Sequence, residues 1–323
     1  MKAALLHVLG SAPAYDTCPD PVPQNEDQIL INVKAASIKN LDKMRASGKH
    51  YASYTELPAV VGIDGVGVLQ DGTRVYAQGI TGMIAEKALI AKGRYVVLPE
   101  KIDDATAAAL PNAVIGAAMA LRYRAGMKKG DVVLINGATG VTGQIAVQIA
   151  RHYGASKIIV TGRNQESLQK LKKLGADVVI SLHEGDETII HKIKEEHKTT
   201  PINIVIDYLW GHPVELIITA LKGGGLHGFT SIVKIVTVGS MAGENIQLTS
   251  SILRSSAIEI LGSGIGSISK EAMDKFSSEV LPEMFQLAAD GLLHIETETV
   301  ALKNIETAWH KDTAPGKRLV VVI

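Results

Sequence analysis

Two hydrophobic patterns divide the chain. Up to about residue 110, short β-like runs are broken by Gly, Pro and Asp, at residues 29–33, 65–69, 74–76 and 94–98. From residue 132, short apolar runs alternate with helical stretches: 132–135 then 144–153, 157–160 then 165–174, and 178–180 then 188–196. Further runs follow at 204–206, 234–238 and 258–261. These runs lack polar alternation, which predicts strands buried on both faces, and strand–helix alternation specifies a parallel sheet with right-handed crossovers. Six such strands with helices between them predict a doubly wound nucleotide-binding domain. Beyond residue 266 the pattern predicts a helix over 270–290 and a last strand over 318–323 that pairs back onto the N-terminal β region. The predicted fold class is α/β, with a β domain over residues 1–111, an inserted nucleotide-binding domain over 112–265 and a return over 266–323.

Composition narrows the function classes. With 323 residues and 46% apolar content the chain can bury a sizeable core, and two domains are expected. Its formal net charge of +0, without a basic arm or acidic tail, argues against nucleic acid or an anionic membrane as a partner. A lone cysteine, Cys18, can form neither an internal disulfide nor a cysteine zinc cluster, and fits a reducing, cytoplasmic setting. The opening "MKAALLHVLGSAPA" has some features of a signal peptide. His7 interrupts an apolar stretch that is already short and Pro13 sits inside the would-be cleavage site, so a first β-strand is the better reading. No run approaches the 18 or more uninterrupted apolar residues of a membrane span.

The candidate chemistry starts at "VVLINGATGVTGQIAVQIA". A buried strand points into Gly137-Ala138-Thr139-Gly140-Val141-Thr142-Gly143, and a helix begins as the glycines end. Backbone N–H groups at a helix N-terminus, with no Cβ in the way, form a site for a diphosphate, and the helix dipole adds to the attraction. At the end of the next strand, a cofactor with a free ribose 2′-OH calls for Asp or Glu. This chain instead has Gly162, Arg163 and Asn164: Gly162 leaves room, Arg163 can fork onto a 2′-phosphate, and Asn164 can add a hydrogen bond. The expected cofactor is therefore NADP(H). By the rule that ligands lie beyond the carboxyl ends of the strands, the loops "DYLWG" (207–211), Gly239-Ser240 and "GSGIGS" (262–267) also face it, with packing the default role for Tyr208 and Trp210.

In combination, "MKAALLHVLG", "LPAVVGIDGVGVL", "INGATGVTGQIAVQIA", "LKKLGADVVI", "GSMAGENIQL" and "GKRLVVVI" resemble the medium-chain dehydrogenase/reductase superfamily, and within it the zinc-free quinone oxidoreductase branch. The resemblance covers essentially the whole chain. It implies a GroES-like β domain beside a Rossmann domain, an active-site cleft between them, and a homo-oligomer, with a homodimer expected here. It also implies nicotinamide contacts at Leu209, Gly239, Ser240 and Gly264, and a cofactor phosphate near Lys317, for which a strand-edge charge is an equally good account.

Zinc-dependent relatives place metal ligands at positions that align here with Lys39, with the pair Ile63 and Asp64, and with Asn112. A lysine, an isoleucine and an amide cannot complete a catalytic zinc site, so no metal is expected. The family's hydroxyl relay falls at Leu41, which carries no proton. Without a Lewis acid, a hydride donor suits acceptors that need little acid help, namely quinones and α,β-unsaturated carbonyls.

The candidate catalytic residues are Lys39 and Asn112. Lys39 can bond the acceptor oxygen, contact a cofactor phosphate, or pair structurally with Asp42 or Asp64. Asn112 can orient nicotinamide or substrate, or cap a helix starting near Ala113. No nucleophile–base pair emerges, and the ten histidines are scattered. Two alternatives stay open: a ketone or aldehyde reductase, which lacks a visible acid for the alkoxide, and a non-enzymatic NADPH-binding sensor.

Overall fold

The computed structural model describes residues 1–223 and 231–323. Contacts divide the chain into two units, residues 1–112 with 277–323, and residues 113–276. In the first, β1 (Lys2–Leu6) pairs with β2 (Ala14–Thr17). Next come β3 (Gln28–Ser37), α1 (Asn40–Ala46), β4 (Ala59–Val60), β5 (Asp64–Val68), β6 (Arg74–Gly79) and β7 (Lys87–Val97). Strands β3, β5, β6 and β7 are antiparallel, and β3 also pairs with β7, so they close on themselves. Alternation along β3 sends Ile31, Val33 and Ala35 into the core and leaves Asn32 and Lys34 exposed. Gly65 and Gly67 let β5 pass close to β3, since a Cβ at either would meet Ala35 O or Ile31 Cδ1 at 2.7 Å.

Helix α2 (Asp104–Val114) begins where Asp103 Oδ1 accepts the Thr106 N–H at 2.8 Å, and it runs on as a π-helical stretch, Ile115–Arg124. Asn112 therefore lies inside a helix and caps none near Ala113. Pro111, which resembles a helix start in the sequence, sits within α2. The whole stretch, Asp104–Arg124, is long and apolar enough by length and composition to cross a membrane, but its Leu110, Met119 and Leu121 are buried inside the protein.

The second unit is built on β8 (Val132–Asn136), whose five residues are all buried. It continues with α3 (Val141–His152), β9 (Lys157–Gly162), α4 (Gln165–Lys173), β10 (Val178–Ser181), α5 (Asp186–Thr199), β11 (Ile204–Asp207) and α6 (Gly211–Leu221). After residue 230 come β12 (Val233–Thr237), α7 (Ser250–Ser255), β13 (Ile258–Gly262) and α8 (Lys270–Lys275). All six strands are parallel in the order β10-β9-β8-β11-β12-β13, the doubly wound order. Leu134, Ile159, Val205 and Ile235 interlock with Ile189, Ile193 and Ile217 from the helices.

Two expectations change at the C-terminal side. The border falls after residue 276, not after 265, and at the other end it falls after 112 where 111 was expected. Past β13 the glycine-rich segment forms a short 3-10 turn, Ile265–Ser267, and α8 with its C-cap buries Ala272 and Phe276 within the second unit. The single helix expected over 270–290 is instead α8, a π-helical stretch Phe276–Val280, and α9 (Leu281–Ala289). Pro282 has no N–H to continue the α-helical ladder. Strand β14 (Glu296–Ala301) has no counterpart in the sequence pattern because "ETETVA" carries no apolar alternation; it lies at an edge and pairs only with β15. Helix α10 (Ile305–Trp309) buries Trp309, and β15 (Lys317–Val322) pairs with β3.

Gly82, with Gly79, is the sharpest packing constraint among the glycines of the β unit, since a Cβ there would lie 2.1 Å from Val60 O, a backbone atom. Gly82→Ala is expected to destabilise the protein by about 1–3 kcal/mol, the scale of an overpacked interior site, read as a lowered midpoint in urea unfolding.

Candidate active site

Strand β8 ends at Asn136 and the chain turns at Gly137, whose φ of +83° is open to glycine. A Cβ at Gly137 would lie 2.8 Å from Leu209 Cγ. Gly143 lets α3 sit on the loop, because a Cβ there would come within 2.5 Å of Ala138 Cα. Gly140 differs: it is the N-cap of α3, exposed, with no side-chain cap, and a Cβ would meet nothing closer than 3.9 Å. The first turn of α3, Val141-Thr142-Gly143, therefore presents backbone N–H groups without intrahelical partners beside open space. These features fit a diphosphate. Thr139 supports the turn, its carbonyl accepting Gln144 Nε2 at 3.2 Å.

The end of β9 differs in detail from the sequence expectation. Gly162 does not leave a void for a ligand; Thr139 fills it, with Cγ2 only 2.4 Å from where a Cβ would stand. Arg163 is exposed and pairs with no carboxylate among the described residues, so its fork of donors is available. Asn164 is the N-cap of α4, its Oδ1 accepting the Ser167 N–H at 2.8 Å, which leaves only its amide N–H groups for a ligand. At the other strand ends, Gly239 allows close approach to Tyr208 O, Ser240 bonds Glu244 at 2.6 Å, and Gly264 opens an exposed turn. Tyr208 is buried and donates to Gly116 O at 3.1 Å, which makes it a packing residue.

Beneath the glycine loop lies a polar network that the sequence reading missed. Asn136, Thr161 and Asp207 are each fully buried at the carboxyl ends of β8, β9 and β11. Asn136 Nδ2 donates to Asp207 Oδ1 at 2.7 Å, and Thr161 Oγ1 donates to Asn136 Oδ1 at 2.5 Å. Gly137 N donates to Thr161 Oγ1 at 3.2 Å. Asp207 also accepts the N–H groups of Leu209 and Trp210. The available signal was a polar residue closing each of three apolar strands, "VVLIN", "KIIVTG" and "IVID".

In the β unit the candidate catalytic lysine proves to be the centre of an ion cluster. Lys39 is 2% exposed. Its Nζ lies 2.7 Å from Asp64 Oδ1, 3.1 Å from Asp42 Oδ2 and 3.1 Å from Ser37 O. An ammonium has three N–H donors, so all are committed and none remains for a substrate oxygen or a phosphate. The catalytic reading of Lys39 thus gives way to the structural ion pair, with both aspartates as partners. Asp42 also accepts the N–H groups of Lys39 and Ile63, and Asp64 accepts the Tyr76 hydroxyl at 2.9 Å. Burial opposes the charge on Lys39, yet the two carboxylates hold its pKa above the ordinary lysine value. Tyr76 is pushed well up, by burial first and then by Asp64, and stays a neutral donor.

Asn112 accepts from Arg318 Nη2 at 3.4 Å, which gives its side chain a structural partner. Burial lowers the Arg318 pKa, and Asp42 and Asp64 hold it up. Lys317 lines a basic recess of the β unit with Asn40, Lys43, Lys311, Thr313 and Arg318, and lies 3.8 Å from Glu296.

The fold and the loop define a dinucleotide-binding oxidoreductase architecture, and comparison with known proteins sharpens this. Residues 141–281 match the family model described as zinc-binding dehydrogenase. Human quinone oxidoreductase (Homo sapiens) is 30% identical over 269 residues, covering 80% of this chain and 77% of that protein. An NADPH-dependent alkenal/one oxidoreductase of Arabidopsis thaliana is 35% identical over 178 residues, 48% of this chain and 45% of the relative. The quinone oxidoreductase structure from Thermus thermophilus, also solved with NADPH, superposes with a TM-score of 0.80 at 24% identity, covering 100% of both chains. The chain belongs to the medium-chain dehydrogenase/reductase family, in its quinone oxidoreductase branch.

The family description implies zinc, and the residues do not fit it. Of the aligned ligand positions only Asp64 offers a metal donor, and the Lys39 ammonium already holds its Oδ1 at 2.7 Å. Among the described residues no three His, Cys, Asp or Glu side chains converge. Lys39→Met, which leaves two buried carboxylates without their cation, is expected to cost about 3–5 kcal/mol in urea unfolding at neutral pH. Adding Asp64→Asn should recover part of that loss. Because the folded-state pKa is raised, the stabilisation by Lys39 is complete below the ordinary lysine pKa and disappears only as pH climbs through the raised one.

Proposed function

We propose that this protein is a zinc-independent, NADPH-dependent oxidoreductase that passes hydride to a quinone or a conjugated enone. The observation that carries the reading is the uncapped first turn of α3 with the unpaired Arg163 at the end of the neighbouring strand. Backbone N–H groups of residues 141–143 hold the diphosphate, and Arg163 with the Asn164 amide holds the 2′-phosphate. When bound, NADP(H) supplies the hydride. Relatives named quinone oxidoreductase and alkenal/one oxidoreductase support both acceptor classes.

Lys39 has no free donor to protonate a reduced acceptor, which supports solvent as the proton source and disfavours carbonyl reduction, where an alkoxide needs an acid. Zinc-independence is supported by the commitment of Asp64 to Lys39. A cytoplasmic setting is supported by the single, unbridged Cys18. We also propose a homodimer formed through β13, a sheet edge that among the described residues pairs only with β12. A sedimentation mass of one chain at micromolar concentration would remove the dimer.

The test of the activity follows NADPH consumption with a para-quinone and with a simple enone. Arg163→Ala should raise the KM for NADPH by about 10–100-fold, the scale of a charge-assisted phosphate contact, and leave the KM for NADH within about two-fold. Equal losses with both cofactors would overturn the 2′-phosphate role, and no turnover with either acceptor would overturn the reductase reading.

A further inference from the structure

Asp207 is a fully buried carboxylate at the end of β11, and among the described residues no cation faces it. β8 contributes Asn136, β9 Thr161 and the following turn two backbone N–H groups; β12 contributes Thr237 at the paired register position. The titratable neighbour is Tyr208, whose phenol burial and Asp207 itself push far up, so it carries no charge. A buried anion without a counter-ion is costly, and one beneath an anion-binding loop also repels the ligand. Its value is therefore not electrostatic attraction.

The hydrogen bonds show what it does. A carboxylate only accepts, so Asn136 must turn its Nδ2 toward Asp207 (2.7 Å) and its Oδ1 toward Thr161. The Thr161 hydroxyl must then donate to Asn136 Oδ1 (2.5 Å), which leaves its lone pair for the Gly137 N–H (3.2 Å). The acceptor-only character of one carboxylate thus sets the donor direction through three side chains to the first residue of the glycine loop. A second arm reaches the same residue. Asp207 holds Leu209 N at 3.1 Å and Trp210 N at 3.1 and 3.2 Å, fixing a turn in which Trp210 adopts φ +55°. That turn seats Leu209 against Gly137, with Cγ 2.8 Å from the position a Cβ would take.

We infer that Asp207 is a positioning residue that sets the glycine loop for the dinucleotide, and that it does so only as a carboxylate. A protonated or amidated side chain can donate to Asn136, whose amide then reverses; the Thr161 hydroxyl must then accept from Asn136 Nδ2 as well as from the Gly137 N–H, and its own hydrogen loses the acceptor that fixed its direction, which loosens the seat of Gly137. The inference rests on the dinucleotide reading of the loop. Burial raises the Asp207 pKa against the opposing hydrogen bonds from Asn136, Leu209 and Trp210. Affinity is therefore kept above that raised value and lost as pH falls through it. The linkage to stability has the opposite sign: a raised carboxyl pKa lets the folded state take up the proton before the unfolded state does, so acidification favours folding at this group.

The test is NADP+ binding by calorimetry from pH 8 down to the most acidic pH at which the apo protein keeps its melting transition, for the wild type, Asp207→Asn and Thr161→Val, with apo melting temperatures alongside. Asp207→Asn should weaken binding at least ten-fold at pH 8 without lowering the apo melting temperature, and should shift the Trp210 emission. The wild-type advantage should shrink on acidification; titration of the ligand's own phosphate is common to both proteins and cancels in the ratio. Thr161→Val keeps the charge but cuts the relay, so it should weaken binding with Trp210 emission unchanged. It carries the test together with the wild-type pH series should Asp207→Asn not fold. Binding by both variants within two-fold of wild type at every pH overturns the inference. Absence of NADP+ binding by the wild type at any pH overturns the dinucleotide reading, and this inference with it.

Discussion

The first turn of α3 carries backbone N–H groups that no side chain among the described residues caps, and the architecture of the nucleotide unit follows from keeping them in that state. Helix starts are ordinarily closed by Ser, Thr, Asp or Asn, because orphan donors are costly away from water. α4 in this same unit is closed in that way by Asn164. At α3 the cap is Gly140, with no side chain, and it stands in open space. Each neighbouring feature serves that opening. Gly137 supplies the left-handed turn, Gly143 brings the helix against Ala138, and Gly162 makes room for Thr139 beneath. The doubly wound strand order puts β8 at the centre of the sheet, so the open helix start sits where the crossovers reverse direction.

The β unit solves a different problem. There a lysine gathers two buried carboxylates around itself. Lys39 reaches Asp42, Asp64 and Ser37 and so joins the end of β3, α1 and β5, while Asp64 extends the cluster to Tyr76 on β6. With the half-buried Arg318 nearby, two cations face two buried carboxylates. Such a balanced cluster is strongly destabilised by loss of one member, yet gives little net stability over an apolar core. Its effect is to fix the geometry of the segments it joins, without offering an open coordination position or a free proton.

The outline of the nucleotide unit was legible in the sequence because each of its strands is a continuous apolar run, and buried parallel strands have no other pattern to show. The glycine turn into α3 was legible for a related reason: glycines between a buried strand and a helical pattern mark the turn that joins them. What stayed hidden depends on side chains distant in sequence. Nothing near Lys39 distinguishes a free ammonium from one saturated by Asp64, 25 residues away. The cap reading of Asn112 failed because its helix already begins at Asp104, in an alanine-rich stretch whose start carries little apolar periodicity. Strand β14 shows too little apolar pattern to be seen, since of its six residues only Val300 packs as a larger apolar side chain against the core. Asn164 and Gly162 were placed correctly at the strand end, but the local uses that take up one bond of the first and the space beside the second are tertiary facts.

The two buried polar networks differ in a way that bears on where function can reside. At the centre of the Lys39 cluster the ammonium and the Tyr76 hydroxyl both end on acceptors inside it, so neither is free to meet a ligand. Around Asp207 the chain of hydrogen bonds does not close; it runs outward through Asn136 and Thr161 to the backbone of Gly137, at the foot of the open helix start. A closed network can only hold a fold. An open, directional one links the protonation of a buried group to the shape of a surface loop, and this makes the end of β11, rather than the buried lysine of the β unit, the place where the polar interior of this protein acts on its ligand site.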